Sequence, residues 1–549
     1  MIVIFYIKED QNTYIHLLLF FYKMKLMKFS TYTIASALLA TASATIIQFN
    51  VVSPNSTNVK VNINGKSTSL DAVIPHVPFF SGFVEVGSAT TYNYVADNVT
   101  EKFSRNLPSG NSTYNDFFGR SITYANITAL PRPLDNGKEW TRADKDHPIF
   151  DINYIPSLFV YGKQEEMDHL IKKVPKHQVT TEVTFIGKDF IRTFTNVTFG
   201  VAGAGKKNNP SKQQWKLELS PGIRFNNRRH FKLRNMEEDP TQMREKLYAD
   251  CLRAMGTYAN QAIMVRFFIN GQGMGTFNML DDIKKYSYIE AVFYGGNPPA
   301  QMGPLYDGST GASFAFNPDP YDYGDYQPNK YSPEPSTAVY NLTKAFNETD
   351  ITNDNSINKF GEMFDIDQFL RFMVMEYLGG SWDNYWVGQT NDGAYKDYAY
   401  NNTWYYLGQD YDGTFGVNMP DDLLNYTYKI YPSKYPGAVL INGFLQNKNL
   451  ASTFESYVTD TVKILFNNDT LGRHIKTYRD LIAEDLKWDR SIVQRSPGKL
   501  YGWTYEQTYD NLYEEVIAPG NGGGGAQYGL VEWITKKSEV VAKDLGFSL

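Results

Sequence analysis

Cys251 is the only cysteine in a chain of 549 residues. No intrachain disulfide can form, so the fold must rest on buried apolar surface and hydrogen bonds. That constraint matters because the chain begins like an exported protein. Residues 27–44 read MKFSTYTIASALLATASA: a basic start, an apolar run, then an Ala-Ser-Ala cleavage site. The preceding residues are broken by Lys8, Glu9 and Asp10, and their apolar run HLLLFFY is far shorter than the ~20 residues of a membrane-spanning helix. Residues 1–44 therefore read as an over-extended start, with initiation at Met24 or Met27, followed by a secretory signal peptide.

Ten N-x-S/T triplets support export: they begin at Asn55, Asn98, Asn111, Asn126, Asn196, Asn341, Asn347, Asn401, Asn425 and Asn468. The closing KKSEVVAKDLGFSL has no apolar tail, so neither a tail anchor nor a transmembrane span is expected in the mature chain. Apolar residues at 42% and charged residues at 20% fit a soluble globular protein. A net charge of -6 argues against nucleic acid as the main partner. Cys251 lies in the amphipathic QMREKLYADCLRAMG and is expected in a buried helix face.

The length favours two domains, and the pattern changes near residue 150. From 45 to 150, short alternating runs (IIQFNVV, VKVNING, FVEVG, YNYVAD) separated by Asn, Gly, Ser and Pro predict a small all-β, sandwich-like module. PLDNGKEWTRADKDHPIFD then reads as a polar connection. From 151 to 549 the order is a strand pair, the strand QQWKLELS with Lys216 at its middle, the helix around Cys251, and the hairpin QAIMVRFFINGQGMGTFNMLDDI turning at Asn-Gly. DIDQFLRFMVMEYLGG is a buried helix, and GGSWDNYW follows it directly. VGQTNDGAYKDYAYNN reads as an exposed loop, and GQDYDGTFG (408–416) as a turn carrying Asp410 and Asp412.

This layout suits phosphoryl transfer. A strand lysine, Lys216, can neutralise nucleotide phosphates, with Glu245 on the next helix as a candidate partner. The extended end of the hairpin, at Met279 and Leu280, can hold adenine. Asp383 sits where a catalytic loop would follow a buried helix, and Asp410 with Asp412 offers hard oxygen ligands to Mg²⁺. Each of these residues also has an ordinary structural reading, as a solvent-face lysine or a turn carboxylate.

The ordered set QWKLEL, MREKLYADCLRAMG, NGQGMGTFNMLDDI, SWDNYW and QDYDGTFG resembles the spore-coat protein H (CotH) kinase family over roughly residues 155–540, and its fungal cell-surface branch most. The resemblance implies an α+β, atypical protein-kinase-like, two-lobed domain behind the β module. It implies ATP and Mg or Mn as cofactors, and transfer of phosphate to serine of spore-coat or cell-wall proteins. Lys216 would contact phosphate, Asp383 would be catalytic, and Asp410, Asp412 and Asn391 would face the metal, with Gln389 competing for the place of Asn391. Where bacterial members carry Arg-Gly-Asn-Ser, this chain has GVAGAGKKNN. The fungal branch also implies an invasin role toward a host-cell receptor, and a secreted, cell-surface or spore-coat location. A structural coat component whose β module binds wall polymer is a third reading. Paired acids for glycoside hydrolysis are a further alternative, but they leave Lys216 and the hairpin without a role.

Overall fold

Side-chain alternation builds the first sheet. In β1 (Ile46–Val52), Ile47, Phe49 and Val51 point inward while Ile46 is exposed. β2 (Val59–Ile63), β3 (Lys66–Ala72), β4 (Phe79–Glu85), β5 (Thr91–Ala96), β6 (Val99–Thr100), β7 (Arg105–Asn106) and β8 (Ser112–Phe117) complete it in the order β6-β5-β2-β3-β4-β1-β8, with β7 on β5. β3 pairs with β2 through Leu70 and with β4 from Asp71 on. The sheet therefore folds over itself around one core that takes Phe49, Val61 and Tyr94. The computed structural model describes residues 45–145, 148–203 and 210–549, so the expected signal segment and much of the glycine cluster GVAGAGKKNN lie outside the described residues. Thr45–Leu549 form one compact unit.

A closed barrel follows: β9 (Ser157–Tyr161), β10 (Gln178–Ile186), β11 (Ile191–Val201), β12 (Trp215–Glu218), β13 (His230–Arg234), β14 (Ala262–Ile269) and β15 (Gln272–Asp281), ordered β10-β11-β12-β13-β15-β14-β9. The β14–β15 hairpin turns at Asn270 and Gly271, both at positive φ (47° and 77°), as an Asn-Gly type I′ turn requires. Trp215, Leu233 and Met279 lie opposite one another in register and fill the barrel. Lys216, Lys232 and Leu280 form the next row and so face outward.

The C-terminal part is mostly helical, and the molecule is α+β. The Ile366–Gly379 helix is capped by Asp365, whose carboxylate accepts from the Gln368 amide at 3.0 Å, and it ends at Gly380 in the left-handed region. Gln368 through Gly379 are all buried, so this is the central helix. The shorter Arg244–Ala254 helix holds Cys251, buried as expected. Among the described residues no helix is long and apolar enough to cross a membrane.

Two polar stretches differ from expectation. VGQTNDGAYKDYAYNN is not an exposed loop: its middle forms strand β18 (Asp392–Asp397), between β16 (Leu305–Gly308) and β19 (Thr403–Tyr406), with β17 (Tyr326–Pro328) beyond β16. Pairing on both edges satisfies its backbone and buries Ala394 and Tyr395; only the tip around Tyr400 is exposed. The polar connection is likewise anchored. Trp140 packs edge-on against Tyr258, Phe293 and Tyr405 and donates its indole N–H to the Val292 carbonyl at 2.7 Å.

Asp485, on the Arg473–Arg490 helix, ties these parts together. Its carboxylate takes both Arg266 of the barrel (2.7 Å) and Arg120, which follows β8 (2.7 Å). Asp485→Ala would leave a buried guanidinium without its acid, so a loss of ~3–5 kcal/mol is expected in urea unfolding. Glu376 of the central helix accepts from the Trp386 amide at 2.6 Å and the Tyr406 hydroxyl at 3.0 Å, and burial raises its pKa to about 7. A carboxyl raised in the folded state contributes stability below its unfolded value of 4.5 and loses it as pH rises through about 7. The wild-type melting temperature should therefore fall between pH 5 and pH 8, and Glu376→Gln, which keeps the acceptor oxygen, should flatten that fall in a thermal scan.

Candidate functional site

The residues that carry the two acidic turns alternate in the direction they face. In 408–416, Tyr411 turns inward and stacks on Tyr248 of the Arg244–Ala254 helix, with ring centroids 4.4 Å apart. Phe415 packs edge-on against the same ring. Asp410 and Asp412 are thereby turned the other way, toward the barrel, with Asp410 at a φ of 63°. Gly413 permits close approach to the other turn, because a Cβ there would sit 3.2 Å from the Trp382 ring. The two turns are also joined directly. Asn384 donates to the Gln409 carbonyl at 2.7 Å, and the Gln409 amide donates to the Asn391 carbonyl at 3.0 Å.

Asp383 is half-buried, and Asn391 fixes it by donating its side-chain amide to the carboxylate at 2.9 Å and to the Asp383 carbonyl at 2.7 Å. Burial, then the Asp410 charge, raises the Asp383 pKa to about 6. A carboxylate poised there is ionised at neutral pH yet basic enough to accept a proton. Gln389 is placed elsewhere: its amide donates back to carbonyls of its own short helix, while its carbonyl accepts from Gly311.

The cation that meets the acids is Arg234, at the end of β13. Its guanidinium pairs with Asp410, reaches Asp412 at 2.6 Å and lies 3.6 Å from Glu245. Burial works against the Arg234 charge, but Asp410 and Asp412 outweigh it and hold the group protonated. Burial likewise opposes the Asp410 charge, and Arg234 outweighs it, keeping that carboxyl below the usual range. Asp412 and Glu245 go the other way: burial pushes both up. One positive charge is thus shared by three acids, Glu245 buried and Asp410 and Asp412 partly buried.

Glu245 therefore faces Arg234, at the end of β13, and not Lys216. Lys216 stands on the outer row of the barrel, opposite Lys232, which lies 3.4 Å from Asp282. Lys232, Leu280, Gln409 and Asp410 line a small recess with Arg234 and Glu245. Leu280 thus reaches the site. Met279 does not: it is 1% exposed and points into the barrel core. The expected pair at Met279 and Leu280 is corrected to one residue, because neighbours on a strand face opposite sides. Arg234 was missed from sequence. Its signal is the alternation in HFKLR (230–234), where Phe231 and Leu233 turn inward and Lys232 and Arg234 outward.

Among the described residues no group of three His, Cys, Asp or Glu side chains stands ready to hold a metal ion. Asp410 and Asp412 have the oxygen chemistry for one, but Arg234 occupies the space between them. The pair suits a cation that arrives with further oxygens, as Mg²⁺ does when it binds through two carboxylates and substrate phosphates. Asn391, with its amide N–H turned to Asp383, could offer such a cation only its carboxamide oxygen.

Comparison with known proteins gives the family of the chain. The family described as CotH kinase protein matches residues 200–518, which span both acidic turns, Arg234 and Glu245. Invasin CotH2 of Rhizopus delemar is 52% identical over 95% of this chain and 88% of its own length. Invasin CotH3 of the same organism is 51% identical over 94% of this chain and 87% of its own. Spore coat protein homolog 1, also from Rhizopus delemar, is 51% identical over 93% and 84%.

Proposed function

Because the chain belongs to the CotH kinase protein family, we propose that it is an atypical protein kinase that moves phosphate from ATP to serine of coat or wall proteins. One observation carries this reading: Asp410 and Asp412 of one turn meet Arg234 and Glu245 at the barrel edge, while Asp383 of the other turn lies within the field of Asp410 and Arg234. In this reading the barrel is the nucleotide lobe and the helical part the catalytic lobe. Asp383 receives the serine hydroxyl proton as the serine oxygen bonds to the γ-phosphorus and the bond to ADP breaks. Arg234, with Lys232 and Lys216 behind it, neutralises phosphate. Bound Mg²⁺ or Mn²⁺ would be held by Asp410 and Asp412, with Asn391 as a further oxygen donor, and would offset charge on the transferred group.

The test is phosphate transfer from labelled ATP by the purified protein with Mg²⁺ or Mn²⁺. Asp383→Ala should lower turnover by ~10²–10⁴-fold, as loss of a general base does. Asp410→Ala should abolish both transfer and the rise in melting temperature that ATP with metal produces. Arg234→Gln should weaken ATP binding more than Lys216→Gln. No transfer and no ATP-dependent stabilisation would refute the kinase.

The relatives' names favour a second role beside the first. Two of them are called invasins and a third a spore coat protein homolog, which supports placement of this chain at a cell surface or spore coat and engagement of a host-cell receptor. Cell binding that survives Asp410→Ala would separate that role from catalysis. Export also fits the surface of the molecule, since all ten triplet asparagines are exposed. Material secreted by a fungal host should lose mass on treatment with peptide-N-glycosidase, and an unchanged mass would count against passage through the secretory path.

A further inference from the structure

The Gln164–Lys173 helix packs Met167, Leu170 and Ile171 into the barrel core and then stops short. Val174 takes the left-handed region at a φ of 50°, and its amide donates to the Leu170 carbonyl at 3.1 Å. Pro175 follows and cannot extend the helix. The chain doubles back, and β10 starts at Gln178. This reversal sets His177 beside His169. Both are exposed, with ring centroids 5.2 Å apart and ring planes 24° from parallel. Among the described residues neither imidazole makes a hydrogen bond or an ion pair.

Two imidazoles held this way have the spacing of ligands that share one ion. With each nitrogen ~2.0–2.1 Å from zinc and each ring centre ~1.1 Å further out, a tetrahedral angle puts the two centres ~5.2 Å apart. Imidazole nitrogen suits zinc, copper and nickel, whereas Mg²⁺ takes hard oxygen. Along the helix, Glu165 stands one turn before His169 and Lys173 one turn after it, so this face sets no net charge against a cation. Lys173 and Lys176 are exposed and can turn their ammonium groups to water.

We infer that His169 and His177 form a two-histidine site for a divalent transition-metal cation of the zinc type, with water completing its coordination. The site shares no residue with the acidic recess and asks for a different class of ion. A bound ion closes the loop 169–177 and clips the helix to the start of β10. Gln178 lies opposite Gly200, and Gly200 opposite Lys216. The backbones are close there, since a Cβ on Gly200 would sit 3.1 Å from the His177 carbonyl oxygen. The clip therefore holds the end of the strand row that carries Lys216.

The test is calorimetric titration of zinc into the full chain without an affinity tag, with Mg²⁺ in excess to fill oxygen sites. Wild type, His169→Ala, His177→Ala and Asp410→Ala would be compared. Both histidines are exposed, so their variants should fold, and melting temperature without zinc checks this. One zinc per chain should bind wild type and Asp410→Ala, and each histidine variant should bind it ~10-fold more weakly or not at all. Hydrogen exchange of the amides between Val174 and Gln178 should slow with zinc in wild type and Asp410→Ala, and should not respond to Mg²⁺ alone. Two exposed rings that merely stack would bind no zinc, and that result in wild type would overturn the inference. So would binding that both histidine variants keep. Loss of binding in Asp410→Ala, with both histidine variants unaffected, would place the ion at the acidic turns instead.

Discussion

One guanidinium among three carboxylates, Glu245 buried and Asp410 and Asp412 partly buried, is the interaction on which the arrangement depends. Arg234 belongs to the barrel, Glu245 to the helix that follows it, and Asp410 and Asp412 to a turn of the helical part. Taking charges out of water is costly, and the cost is recovered only where an opposite charge sits close by. Here the compensation is incomplete, since Arg234 balances one acid while burial presses Asp412 and Glu245 toward protonation. The cluster thus holds the barrel against the helical part and, at the same time, has room for more positive charge.

What makes that cluster precise is the packing beneath it. Tyr411 and Phe415 alternate with the acids and lock into Tyr248, so the turn cannot rotate its carboxylates away without opening an aromatic core. Asn384, Gln409 and Asn391 then tie this turn to the one bearing Asp383. Glu376 supports the same region from below by accepting the Trp386 amide. Functional carboxylates are most reliable when their neighbours are fixed by packing and hydrogen bonds, and both devices are present.

The legible and illegible parts of the sequence divide along physical lines. The Asn270-Gly271 hairpin, the helix around Cys251 and the central helix were readable because each has a local cause: a turn that needs positive φ, a run of helix-forming residues, or a buried run capped at both ends. The acidic turns were readable as residues, though not their meeting with Arg234, which joins strand β13 to a turn 176 residues away. Local pattern carries no information about that pairing. β18 was misread because polarity stood in for exposure; a strand paired on both edges buries Gly393 and Ala394 whatever polar residues flank them. Met279 and Leu280 were separable in principle, since the two-residue period of a strand lets only one of them face a cleft.

The charge imbalance also bears on whether the site is a relic. A scaffold kept only for adhesion gains little from three acids crowded around one cation, because ion pairs taken out of water seldom add net stability. Such a cluster is a local violation of what stability alone would select, and violations of that kind concentrate where a ligand supplies the missing interaction. Here the unbalanced charge is negative, and on the proposed kinase reading a divalent cation with its phosphate would offset it. The same reasoning separates Asp383 from its neighbours. It is half-buried, bonded to Asn391 and raised to about 6 by burial and then by the Asp410 charge, so it can take up and release a proton near neutrality. On the proposed kinase reading, the acids that meet Arg234 would receive the metal while Asp383 beside them exchanges the proton.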